Sequence, residues 1–121
     1  MPNLLLATDA DWLFDDVAAA LGATHDIHRV KEGAHVAKAI GTVEPELIIL
    51  DLQIGNMGGV ATSLFVKQEI GAGRIEETPI LLLLDREADT FLAEQSTADS
   101  WLVKPLNSLA LRRAAKDLID A

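Results

Sequence analysis

The segment Leu47-Ile48-Ile49-Leu50-Asp51 decides the fold. Four consecutive large apolar residues leave no polar face, so a strand made of them needs cover on both sides. Such strands belong to a parallel sheet with helices on either face. The run ends in a carboxylate, which places Asp51 at the carboxyl edge of the sheet, where open α/β sheets bind their ligands.

The same alternation of apolar run and helical pattern extends in both directions. Upstream, Pro45 breaks a short helix from about Ala34 that carries Val36, Ala39, Ile40 and Val43. Before it, His25 to Val30 reads as a weak strand with Ile27 as its only strongly apolar interior residue. The first strand is Leu4-Leu5-Leu6-Ala7, followed by a helix with Leu13, Phe14, Val17, Ala20 and Leu21 on one face. Asp9 or Asp11 is expected to cap that helix, with Asp15 and Asp16 in its first turn. Downstream, the Gly-rich turn from Gly55 to Gly59 precedes a helix through Ala61, Leu64, Phe65 and Gln68, ended by Gly71-Ala72-Gly73. Pro79 opens the strand Ile80 to Leu84, and a short helix spans about Asp89 to Gln95. Trp101-Leu102-Val103 is the last strand, stopped by Pro105. Asn107 or Ser108 caps a final helix lined by Leu111, Ala114, Ala115, Leu118 and Ile119. The expected class is α/β, a doubly wound parallel sheet of five strands with right-handed crossovers.

Composition narrows the function. The chain has 121 residues, one domain of modal size, and half of them are apolar. With 10 basic and 19 acidic residues, the formal charge is −9. That balance speaks against sequence-independent nucleic-acid binding, which rests on cations neutralising phosphates. The absence of Cys removes disulfides, thiolate nucleophiles and Cys-ligated metals. The longest apolar run, Ile80 to Leu84, is far too short to span a membrane, and the start of the chain lacks signal-peptide features. A cytoplasmic place is expected. His25, His28 and His35 are read as structural or solvated, since a metal site needs convergent ligands. Trp12 could cover the pocket near Asp9 or serve an interface. No P-loop, dinucleotide fingerprint or Ser nucleophile elbow is present.

The chemistry lies at the strand ends. The first strand ends in Thr8-Asp9, the third in Asp51, the fourth in Leu84-Asp85 and the fifth in Lys104. Two carboxylates and an ammonium at neighbouring strand ends have a chemical meaning. Carboxylate oxygens are ligands for Mg²⁺, and an Asp can attack phosphorus to form an acyl phosphate. A Lys supplies a point charge to a phosphoryl oxygen. Phosphoryl transfer asks mainly for positioning and charge stabilisation.

Over essentially its whole length the chain resembles the receiver domain of response regulators in two-component signalling, of the chemotaxis-regulator kind. The motifs are Leu47-Ile-Ile-Leu-Asp51, Met57-Gly-Gly59, Thr78-Pro79 and Trp101-Leu-Val-Lys104-Pro105. The resemblance implies a flavodoxin-like sandwich with strand order 2-1-3-4-5, one receiver domain over 1–121 and no output domain. It implies phosphorylation of Asp51, contact of Lys104 with the phosphoryl group, and Mg²⁺ held by Asp9, Asp51 and the backbone carbonyl of Gln53. It assigns Leu84 and Trp101 to the switch positions. It also implies a histidine kinase or phosphotransfer protein as donor, and slow self-dephosphorylation rather than a classical enzyme activity. An unidentified downstream protein, or a second copy, would bind the face formed by the fourth helix, fifth strand and fifth helix.

The chain departs from the pattern in several places. Thr8 stands where the first of two adjacent acids is usual, with Asp11 a candidate substitute, and Gly55 replaces the usual Pro. The first helix region is about a residue short. Leu84 replaces a Thr or Ser whose hydroxyl would bond a phosphoryl oxygen, and leucine has no donor. Two alternatives follow. One is a pseudo-receiver acting as a phosphorylation-independent interaction module; the other is a small-ligand or flavin-binding protein of the same fold.

Overall fold

In a computed structural model, which describes all of residues 1–121, the three strongest apolar runs become β1 (Asn3–Ala7), β3 (Leu47–Asp51) and β4 (Ile80–Leu84). They are buried almost end to end. The partly exposed β2 (Asp26–Val30) and β5 (Ser100–Val103) are the sheet edges. All neighbours pair parallel in the order β2-β1-β3-β4-β5, the expected order.

The period of two divides each apolar run between the two faces. Leu4, Leu6, Leu47, Ile49, Leu81 and Leu83 share a core with α1 (Asp11–Leu21) and α5 (Ser108–Ile119). Leu5, Ala7, Ile48, Leu50, Ile80, Leu82 and Leu84 pack with residues of α2 (Val36–Val43), α3 (Gly59–Gly71) and α4 (Thr90–Gln95) on the other side. Each fully buried Leu or Ile contributes about 1.5–3 kcal/mol relative to exposure. No helix is long and apolar enough to cross a membrane.

Several local expectations need correction. Neither Asp9 nor Asp11 caps α1. Ala10 occupies the N-cap, Asp11 is already in the helix and is the only acid in its first turn. Asp15 and Asp16 therefore fall one turn later, and the Thr8 hydroxyl takes the Ala10 N–H at 3.1 Å. His25 lies just outside β2. A 3-10 turn, Gly33–His35, precedes α2, and Glu44 ends α2 in the left-handed region at φ 52°. Of the two expected caps of α5, Asn107 serves, its side chain accepting the Ala110 N–H at 3.0 Å.

In α3 the larger apolar residues turn outward. Thr62, Ser63 and Val66 face the sheet, whereas Leu64 and Phe65 remain 37% and 38% exposed. The helix starts too close to the sheet for large inward side chains: a Cβ on Gly59 would stand 2.7 Å from the Asp51 carbonyl oxygen. The inward hydroxyls find local acceptors, Thr62 on the Met57 carbonyl at 3.0 Å and Ser63 on the Ser96 carbonyl at 2.9 Å.

A second close approach holds the loop after β3. Gly33 and Ala34 donate their N–H groups to the Gly55 and Asn56 carbonyls at 3.0 and 2.8 Å. A Cβ on Gly33 would fall 1.8 Å from the Met57 carbonyl oxygen, while nothing lies within 4 Å of one on Gly41. Gly33→Ala is therefore expected to destabilise by about 1–3 kcal/mol, the usual range for overpacking. Gly41→Ala, inside α2, is expected to stabilise by about 0.5–1 kcal/mol. Urea denaturation of both variants checks the opposite signs.

Candidate functional site

The strand register assembles the site. Ala7 pairs with Leu50, so Thr8 and Asp51 come next and stand opposite each other. Leu84 pairs with Val103, so Asp85 and Lys104 do the same on the other side. All four lie one residue beyond members of the α2–α3–α4 core, so alternation turns their side chains toward the α1–α5 face.

The contacts follow that placement. Thr8 Oγ1 donates to Asp51 Oδ2 at 2.7 Å, and the Gln53 N–H donates to Asp51 Oδ1 at 3.1 Å. Lys104 Nζ bridges Asp51 Oδ1 at 2.6 Å and Asp85 Oδ1 at 2.8 Å. Thr8 is fully buried and Asp51 is 2% exposed. Asp85 Oδ2 is also buried, with no hydrogen-bond partner. Trp12, itself 53% exposed, presents its ring 5.9 Å from Lys104 Nζ, within cation–π range. It thus stands over Lys104 at the site.

Burial disfavours both charged forms here, and pairing outweighs it. Lys104 sits above the ordinary lysine value of 10.5: burial lowers it, but the hydrogen bonds and charges of Asp51 and Asp85 raise it more. Asp85 sits below the ordinary 3.8. Burial pushes it up, but the Lys104 hydrogen bond, the nearby Gln53 side chain and the charges of Lys104 and Arg86 pull it down.

The remaining candidates are placed as follows. Asp9 is exposed at the end of β1, its Oδ2 3.7 Å from where a Cβ on Gly55 would stand. Asp11 does not stand in for the missing acid, because Arg29 holds it at 2.8 Å on the surface. Arg29 also donates to the Thr8 carbonyl at 2.9 Å and lies 5.3 Å from the Phe14 ring, bracing the end of β1. Leu84 is fully buried on the α2–α3–α4 face, and Trp101 packs against that same core. The three His residues stay apart, His28 on Asn3 and His35 on Glu32. No group of three His, Asp or Glu gathers as a metal cluster. The three cavities, of about 350, 370 and 470 Å³, are lined by none of Asp9, Asp51, Asp85 and Lys104. The flavin alternative therefore has no cavity at this edge to support it.

Arg29 was missed from the sequence, and Asp85, read there as a strand-end acid unfavourable to phosphate, was not foreseen as a partner of Lys104. Arg29 reaches the site because Leu6 pairs with Arg29 in the edge strand, which periodicity does not reveal. Asp85 takes half of the Lys104 ammonium. The only signal for it was its position immediately after the fourth apolar run.

No family model matches the chain. Among solved structures, it superposes on the signal receiver domain of a histidine kinase from Syntrophus aciditrophicus. The TM-score is 0.85 at 21% identity, covering 99% of this chain and 91% of that one. The fold is that of a receiver domain. The Vibrio cholerae chemotaxis protein CheY4 gives 0.82 at 21% identity, with 98% of each chain covered. The receiver domain of a Pseudomonas aeruginosa sensor histidine kinase, which holds a magnesium ion in its active-site cleft, gives 0.85 at 18% identity over 99% of this chain and 98% of that one. In this receiver fold, the site built from Thr8, Asp51, Asp85 and Lys104 occupies the carboxyl edge of the sheet.

The depressed pKa of Asp85 has a consequence for stability. Its contribution is present above the ordinary carboxylate value and is lost as pH falls through the lower folded value. Thermal unfolding followed from about pH 7 to about pH 3 is expected to show a shallower acid loss for Asp85→Asn than for the wild type. Equal slopes would show that the Asp85–Lys104 pair contributes nothing.

Proposed function

We propose that the chain is a response-regulator receiver that accepts a phosphoryl group on Asp51. The donor would be a histidine kinase or phosphotransfer protein. One observation carries this: Lys104 Nζ stands 2.6 Å from the carboxylate of a nearly fully buried Asp51 at the ligand-binding edge of the sheet. An Asp51 oxygen attacks phosphorus, the bond from phosphorus to the donor breaks, and the donor leaves with the electron pair. Thr8 Oγ1 and the Gln53 N–H orient the carboxylate. Lys104 supplies positive charge to a phosphoryl oxygen without itself giving up a proton. Return of the phosphoryl group to water would be a slow self-dephosphorylation.

Magnesium fits the donor chemistry. The Asp9 and Asp51 carboxylates and the Gln53 carbonyl are all oxygen ligands, as this ion requires. Asp51 Oδ2 has one hydrogen bond and a second lone pair, and Asp85 Oδ2 is a buried oxygen without a partner. A bound Mg²⁺ would neutralise charge on the phosphoryl oxygens.

The receiver's own surface offers a face for output through protein contacts. Phe91 and Leu92 on α4 and Leu109 on α5 are 67%, 40% and 49% exposed, beside the edge strand that carries Trp101. This face suits a downstream protein or a second copy. A cytoplasmic place goes with that role. A second reading, an interaction module independent of phosphorylation, is favoured by Leu84, which places only apolar atoms where a switch hydroxyl would be.

Intact mass after incubation with acetyl phosphate and Mg²⁺ tests the acceptor. A gain of about 80 Da (one phosphoryl group) in the wild type and none in Asp51→Asn is expected. No gain in the wild type, from acetyl phosphate or from a cognate kinase, would favour the interaction module. Leu84→Thr is expected to enlarge the phosphorylation-dependent change in Trp101 fluorescence, measured in a Trp12→Phe background. An unchanged response would remove position 84 from the coupling.

A further inference from the structure

Lys104 spends only one of its bonds on Asp51. The second goes to Asp85, which stands directly across from it in the continuation of the β4–β5 register. An ammonium has three N–H donors and no acceptor. Two are committed to carboxylates at 2.6 and 2.8 Å, and the Trp12 ring stands 5.9 Å from the nitrogen. The Lys104 side chain is 10% exposed. The third N–H has no acceptor in the protein, so a phosphoryl oxygen arriving at Asp51 shares Lys104 with Asp85. The bond to Asp51 is to the acceptor itself, so the bond to Asp85 is the one that competes.

We propose that Asp85 is an internal anion that competes with the phosphoryl group for Lys104 and thereby slows the charging of Asp51. The proposal rests on Asp51 as the site of phosphoryl entry and adds a residue that sets how readily entry occurs. Three features support it beyond the distance. One ammonium faces two carboxylates, so the cluster of Asp51, Asp85 and Lys104 is already net negative before any phosphate arrives. Repulsion between Asp85 and an incoming phosphate adds to the competition for Lys104. The second oxygen of Asp85 is buried without a partner, an arrangement that swinging out to water would relieve. Leu84 brings no hydroxyl, so Lys104 carries more of the phosphoryl contact than it would beside a Thr.

The test compares wild type, Asp85→Asn, Asp85→Ala and Asp51→Asn. Acetyl phosphate and Mg²⁺ are added and the gain of one phosphoryl group is timed by intact mass. In this reaction the bond between phosphorus and the acetate oxygen breaks, acetate leaves with the electron pair, and the Asp51 oxygen–phosphorus bond forms. Both Asp85 variants are expected to charge about tenfold faster or more, the equivalent of one charge-assisted hydrogen bond no longer in competition. Asp51→Asn is expected to gain nothing. Equal or slower charging of both Asp85 variants overturns the latch while leaving Asp51 as acceptor. If no protein gains mass, Asp51 fails as acceptor and the latch is judged by non-covalent binding. Inorganic phosphate is then titrated against the Gln53 amide resonance, whose N–H donates to Asp51. A response at lower phosphate in the Asp85 variants upholds the latch, and identical titrations overturn it.

Discussion

Everything at the site depends on parallel register. Four strands end at nearly the same level, and the period of two sends alternate side chains to opposite faces. Thr8 meets Asp51 because Ala7 meets Leu50, and Lys104 meets Asp85 because Val103 meets Leu84. A slip of one residue in any strand would move its polar end group to the other face and its leucines out of their core. Apolar burial on both faces of β1, β3 and β4 makes such a slip costly, so the same leucines that stabilise the domain also aim the site.

The charges inside this frame are tolerated only as a set. Asp51 and Lys104 side chains are 3% and 10% exposed, and neither would be stable there alone. Removing one partner of a buried pair costs more than the pair itself contributes, because the other charge is left unpaired. Position 8 carries a hydroxyl and position 85 a carboxylate. Their roles differ. Thr8 is a donor to Asp51, whereas Asp85 is a rival for Lys104.

The fold was legible wherever burial on both faces produced continuous apolar runs, which is why β1, β3 and β4 followed from those runs, whereas the strand order came with the resemblance to receivers. It was less legible where helices choose a face. In α3 the apolar stripe through Leu64 and Phe65 points outward, because the close approach at Gly59 admits only small or locally satisfied groups inward. Asp51 and Lys104 were readable because each ends a strand. The weight of Asp85 was not, since whether a carboxylate attracts or competes depends on which side of the ammonium it stands. Arg29 was hidden for another reason: it belongs to an edge strand whose pairing with β1 no local pattern announces.

The two faces also constrain how the site communicates. Asp51, Asp85 and Lys104 turn toward α1 and α5, whereas Leu84 and Trp101 belong to the opposite core. A hydroxyl at position 84 could hydrogen-bond toward the strand ends; a leucine there offers only packing. On the proposed role of Asp51, a change there would reach Trp101 through the strands themselves. The direct route is Lys104, whose side chain contacts the site and whose N–H bonds the Leu84 carbonyl at 2.8 Å. Movement of its ammonium between Asp85 and a phosphoryl oxygen would act on the end of β5, three residues from Trp101. The residue that would neutralise the phosphate is thus also the covalent link to the exposed face formed with α4 and α5.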